Sequence, residues 1–225
     1  MKQVLTLCLL TLFTAPFYSQ SVDKGRIQLK AGIGFFLSEQ TSSNWFPQSG
    51  LITSSGAKNK NFGENNISFL INTHKDFSLG VTVVNQSFRG VSDITSQGVG
   101  ICAEYYMINN PNFNLYVNTT AGKLKGVWNS RNEEEVLKQS AAGSFNSFGL
   151  GMNTYLGKVF GFYVVAGYKR QGVQVSKASI EGENKDYIGN IKTKDLKYLN
   201  RGGFLNFGIT IKLRNKSGGD KPNIN

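Results

Sequence analysis

Apolar side chains recur at every second position in eight separate stretches of this chain, a period that specifies extended strands and not amphipathic helices. The last stretch is the clearest. Leu205, Phe207, Ile209, Ile211 and Leu213 share one face, and Phe204, Asn206, Gly208, Thr210 and Lys212 share the other. The same pattern runs through Arg26–Phe36, Asn66–Thr73, Phe77–Arg89, Gln97–Met107, Phe113–Gly122, Ser147–Leu156 and Phe160–Gln171. Gly 26, Phe 16 and Tyr 9 against only Pro 4 suit strands and tight turns.

The connections alternate in length. HKD (74–76), NNPN (109–112) and GKV (157–159) are short and turn-like, whereas 37–65, 90–96, 123–146 and 172–203 read as longer excursions. All short turns therefore fall at one end of the sheet. Phe77, Phe113 and Phe160 each follow one of them on the apolar face and form a candidate aromatic girdle. Within the third excursion, NSRNEEEVLKQ (129–139) offers an N-cap at Asn132 and an acidic first turn, which predicts one short helix.

Residues 1–20 read as a secretory signal peptide. Lys2 precedes an apolar run from Val4 to Phe13 that is too short to span a bilayer, and Ser19 and Ser21 suit cleavage between them. Cys8 lies inside that run after Leu7, which does not fit a lipidation site. Cys102 is then the only cysteine left, so no internal disulfide can form in the exported chain. The net charge of +11 belongs to a chain that leaves the cytoplasm. Nucleic acid is thereby excluded as a partner, and an anionic lipid or lipopolysaccharide surface is expected instead.

Eight antiparallel strands can close with the apolar face inward, around a greasy ligand in water, or outward, against lipid. Three features select lipid. The face opposite the apolar one is rich in glycine (32, 34, 80, 98, 100, 122, 149, 151, 161, 167 and 208), as a narrow lumen requires. The stretches approach the ~9–11 residues that cross a tilted bilayer. Short turns at one end and longer loops at the other, with aromatics at the short-turn edge, match a membrane barrel. The expected fold is all-β: a closed eight-stranded antiparallel up-and-down transmembrane β-barrel over 21–213, followed by a polar tail at 214–225.

With its signal peptide, alternating strands and terminal pattern Asn206, Gly208, Ile211 and Leu213, the chain resembles the small eight-stranded outer-membrane β-barrel family. The resemblance covers the whole exported chain and implies an address in the outer membrane of a Gram-negative bacterium. It also implies that those four residues act as the signal read by the barrel-assembly machinery. The tail RNKSGGDKPNIN departs from relatives that end on an aromatic residue in the last strand.

Parity assigns Glu104, Lys30, Lys169 and Lys212 to the lumen, together with Cys102 as a small packing residue. A buried carboxylate needs a partner, so Glu104 is expected to pair with Lys30 or Lys169 in a network that plugs the bore. Arg89 and Arg170 fall on the lipid face at the outer rim and are candidates for lipopolysaccharide contact. His74, the one histidine, lies in a short turn beside Lys75 and Asp76, with no third partner for a Ser/His/Asp set at the right end of the barrel. Neither a catalytic residue, a metal site nor a cofactor is expected. These readings favour a non-enzymatic surface protein with a structural, adhesive or recognition role through its extracellular loops, its ligand unnamed. A lipid-modifying enzyme, a narrow channel or an accessory barrel of a secretion system are the alternatives.

Overall fold

The structure, a computed structural model, describes residues 25–43, 58–88, 92–131, 136–157, 159–181 and 197–213. The signal peptide expected at 1–20, the tail at 214–225 and Arg89 lie outside these residues.

Eight strands follow one another: β1 (Ile27–Ser43), β2 (Lys58–His74), β3 (Phe77–Phe88), β4 (Ser92–Asn109), β5 (Phe113–Arg131), β6 (Val136–Leu156), β7 (Phe160–Glu181) and β8 (Lys197–Leu213). Each pairs antiparallel with its neighbours in chain order, and the sheet is a closed barrel. Closure is made by β1 and β8, in register from Ile27 opposite Leu213 to Ser43 opposite Lys197. A closed ladder leaves no unpaired edge and satisfies the backbone within the barrel, which any lipid-exposed sheet must do. β2 joins β3, β4 joins β5 and β6 joins β7 through the three short turns. Gly157 takes φ 76 in the last of these, a left-handed backbone that glycine adopts without strain.

The period-two parity places side chains as expected. Ile33, Val81, Ile101, Phe148, Phe162 and Leu205 point outward and are exposed, with Ile101 at 62% and Phe148 at 60%. Every strand contributes to this belt, and no water-soluble exterior carries so large an apolar surface. Phe77, Phe113 and Phe160 occupy the first positions of β3, β5 and β7, at the short-turn end.

Two expectations need correction. Much of 37–65, 123–146 and 172–203 is strand and not loop: β1 continues to Ser43, β5 to Arg131 and β7 to Glu181, while β2, β6 and β8 begin at Lys58, Val136 and Lys197. No helix forms over Asn129–Arg131 or over 136–139, which pair as β5 and β6; residues 132–135 lie outside the described set. The physical reason is that a ladder keeps satisfying backbone groups beyond the bilayer edge, so pairing persists where the outward apolar pattern stops. The 22 residues of β7 greatly exceed what a membrane crossing requires.

The lumen is also less uniformly polar than expected. Phe36, Phe62, Ile94, Leu124, Val173 and Val175 face inward and are buried, and the Phe36 and Phe62 rings stack at 5.8 Å. On β2, β4, β5 and β7 they lie further from the short turns than the described inward polar residues do, while on β1 Ser38 follows Phe36. The glycines opposite make room for rings. A Cβ on Gly122 would lie 2.8 Å from Phe145 Cε1, and one on Gly151 would overlap the ring of Tyr116. Gly151→Val therefore displaces Tyr116 and should lower unfolding free energy by about 1–3 kcal/mol, read as a lower urea midpoint in lipid vesicles. An unchanged midpoint would show that the ring has space to yield.

Candidate functional site

Two buried ion pairs sit one above the other in the bore. Toward the short turns, Lys30 of β1 donates to both carboxylate oxygens of Glu104 on β4, at 2.6 Å and 2.8 Å. Lys30 Nζ is also 3.1 Å from Tyr116 OH and 4.2 Å from the centre of the same ring. Tyr106 OH donates to Glu104 Oε2 at 2.9 Å and accepts from Gln28 Nε2 at 3.0 Å. Gln28 further reaches Asn72 Oδ1 at 3.1 Å, so this layer ties β1, β2, β4 and β5 together.

Toward the other end, Lys169 of β7 pairs with Glu64 of β2. Glu64 also accepts from Gln86 Nε2 at 2.7 Å and from Asn206 Nδ2 at 3.1 Å. Gln171 Nε2 donates to Gln86 Oε1 at 2.7 Å and extends the layer back to β7. Tyr163 OH donates to Asn66 Oδ1 at 2.5 Å between the two layers. Lys30, Glu64, Glu104 and Lys169 all line one void of about 60 Å³, room for a few waters and for nothing larger.

The four sequence candidates for the lumen thus separate. Glu104 meets Lys30. Lys169 turns instead to Glu64, a residue the sequence reading left within a loop. Lys212 is buried but meets no carboxylate among the described residues: it donates to the carbonyl of Pro111 at 3.3 Å and lies 3.2 Å from the centre of the Tyr155 ring. Lys30 and Lys169 are as deeply buried as the carboxylates they meet, so in these two pairs each charge is compensated by its partner and not by solvent. Cys102 is buried and free.

The outer candidates lie elsewhere. Arg170 is exposed and points outward, one step beyond Tyr168 on the same face of β7. On β8, Asn206 and Gly208 face the lumen while Leu213 faces out, and Ile211 shares its side. His74 is exposed at the last position of β2, and not within the turn as expected, with Nδ1 at 3.8 Å from Asp76 Oδ2. Among the described residues no cluster of three His, Cys, Asp or Glu could hold a metal.

No protein-family model matches the chain, and no curated protein matches it in sequence. Solved structures do. The outer membrane protein OprG from Pseudomonas aeruginosa aligns at a TM-score of 0.50 and 12% identity, over 87% of this chain and 99% of that one. AlkL, solved in lipid bilayers, aligns at 0.47 and 10% over 92% and 99%. Ail of Yersinia pestis aligns at 0.46 and 14% over 85% and 100%. At such identities the likeness speaks for the fold alone. Taking that fold with the continuous apolar belt it turns outward, the chain folds as a closed eight-stranded β-barrel of the kind that OprG forms.

Proposed function

We propose that the protein is a closed, non-enzymatic outer-membrane scaffold that holds a recognition surface above the bilayer. The observation that carries this reading is the stacking of two ion-pair layers around a void of about 60 Å³, beneath the inward Phe36, Phe62, Leu124 and Val173. An interior filled by side chains suits anchorage better than passage, as eight strands generally dictate. Strands that run far past the lipid belt supply a rigid collar for the connections at that end. His74, exposed on the opposite end, supports the non-enzymatic reading over lipid modification. In the same reading residues 1–20 direct export, and Asn206, Gly208, Ile211 and Leu213 serve the assembly machinery.

The test deletes residues 182–196, which join β7 to β8 at the collar end, and keeps both strands. Cells carrying the full chain and the deleted chain are compared for adhesion to immobilised matrix proteins and glycans. Adhesion should fall to the vector-only level with the heat-dependent gel mobility of the barrel retained. Equal adhesion by both chains, or single-channel conductance from the purified full chain in planar bilayers, would overturn the reading.

A further inference from the structure

The polar edge above the apolar belt differs in charge around the barrel. Moving outward along β2, β3 and β4, the first outward residues past the belt are Asn65, Asn85 and Gln97, all neutral. On β5 and β7 they are Lys123 and Arg170, with Lys125 one outward step further on β5. β8 adds Arg201, near Glu39 at 3.6 Å, and then Lys197 at its start.

Registers show how these cations are arranged. Lys123, Ser144, Gly172 and Leu199 form one rung across β5, β6, β7 and β8, and Lys125, Ala142, Gln174 and Lys197 form the next. Bulk stands at the ends of the first rung with Ser144 and Gly172 between, and the second carries Ala142 beside Gln174. A Cβ on Gly172 would meet nothing within 4 Å. The result is an outward-facing groove of about 920 Å³ whose lining includes Lys123, Lys125, Arg170 and Lys197. Three strand spacings separate Lys125 from Lys197, roughly 14 Å of backbone. Among the described residues, none of these four cations makes an ion pair with a carboxylate. The groove begins one outward step above Tyr168, the last aromatic of the belt on β7, and so at headgroup depth.

We propose that this groove is a docking site for the bisphosphorylated headgroup of an outer-leaflet glycolipid of the lipid A type. Lys123, Lys125, Arg170 and Lys197 pair with its phosphates, and the small floor of Ala142, Ser144 and Gly172 admits the sugar. A freely diffusing polyanion would require no particular depth; a headgroup anchored by acyl chains requires both the cations and an apolar wall directly below them, and this face supplies both. The inference does not depend on what the collar recognises.

The test uses the full-length barrel in nanodiscs, titrated with bisphosphorylated lipid A, with monophosphorylated lipid A and with inorganic phosphate, and compared with phosphatidylglycerol nanodiscs alone. Lipid A should bind saturably, and the triple variant K123Q/K125Q/R170Q should lose at least about tenfold in affinity. Gly172→Trp fills the floor while keeping every cation and should lose a similar factor, whereas K123R/K125R and the periplasmic-turn variant Lys75→Gln should bind like the parent. Heat-dependent gel mobility establishes that each variant is folded. Equal affinity in the triple variant or in Gly172→Trp, equal retention by phosphatidylglycerol, or competition by inorganic phosphate or heparin at the concentration of lipid A would overturn the proposal.

Discussion

Glu104→Gln should lower the unfolding free energy of the barrel by about 3–5 kcal/mol, the usual cost of leaving one member of a buried pair uncompensated. The substitution preserves shape and removes charge. Lys30 then keeps the amide oxygen and Tyr116 OH, at 3.1 Å, as acceptors but has no counter-charge in a buried layer. Tyr106 also loses the carboxylate to which it donates at 2.9 Å. The double variant K30M/E104L should recover most of the loss, because a matched apolar pair of similar volume carries no desolvation penalty. Urea unfolding of the vesicle-reconstituted barrel, followed by fluorescence, reads both values. If the single and double variants fall equally, the layer owes its stability to packing and not to charge compensation. Glu64→Gln should cost a similar amount, since each cation has two aromatic neighbours besides its carboxylate: Lys169 lies 5.3 Å from the Phe145 ring and 5.7 Å from the Phe36 ring, and Lys30 lies 4.2 Å from Tyr116 and 5.6 Å from Tyr163.

Strand direction, side-chain parity and the solvent outside the barrel were all legible in the sequence, because each follows from a period of two and from which residues occupy each phase. Glu104 and Lys30 were brought to one face by parity alone. Their contact also required the cross-barrel geometry, which no local pattern contains. Glu64 was missed for a different reason. Its strand was begun at Asn66, where the outward apolar residues begin, although Phe62, Glu64 and Asn66 already share the inward phase. Extending that phase backward, and asking which carboxylate Lys169 would need, was the available signal. The short helix predicted near Asn132 failed by the same misreading: strand ends that rise above the lipid lose the outward apolar signature while keeping their ladder partners. The inner plug of Phe36, Phe62 and Leu124 was obscured because Phe62 and Leu124 fell in 37–65 and 123–146, which read as loop and were given no phase. The cationic groove depends on register across β5, β6, β7 and β8, which the sequence of any single strand does not encode.

Depth in the membrane can be measured along one strand. Outward from the short-turn end of β4 come Met107, Tyr105, Ala103, Ile101 and Val99, and then Gln97. Ile101 lies near the centre of this apolar run and is 62% exposed to the surroundings of the barrel. Ile101→Arg should cost about 2–4 kcal/mol in a vesicle-folded barrel, while Gln97→Arg, at the polar edge of the same face, should cost about 0–1 kcal/mol. Both substitutions place the same side chain on the same strand and side, so propensity and local packing nearly cancel in the comparison and the difference reports burial in hydrocarbon. Cys102→Arg supplies the opposite control: its neighbours Ile101 and Ala103 face out, but Cys102 is buried in the bore near Glu104 and Lys30. There an added cation should disrupt the ion-pair layer in detergent and in lipid alike, whereas the penalty at Ile101 should shrink in a short-chain lipid whose thinner core brings the guanidinium nearer to water. Equal penalties at Ile101 and Gln97 would mean that this face does not meet a hydrocarbon interior. The assignment of inside and outside would then have to be reversed.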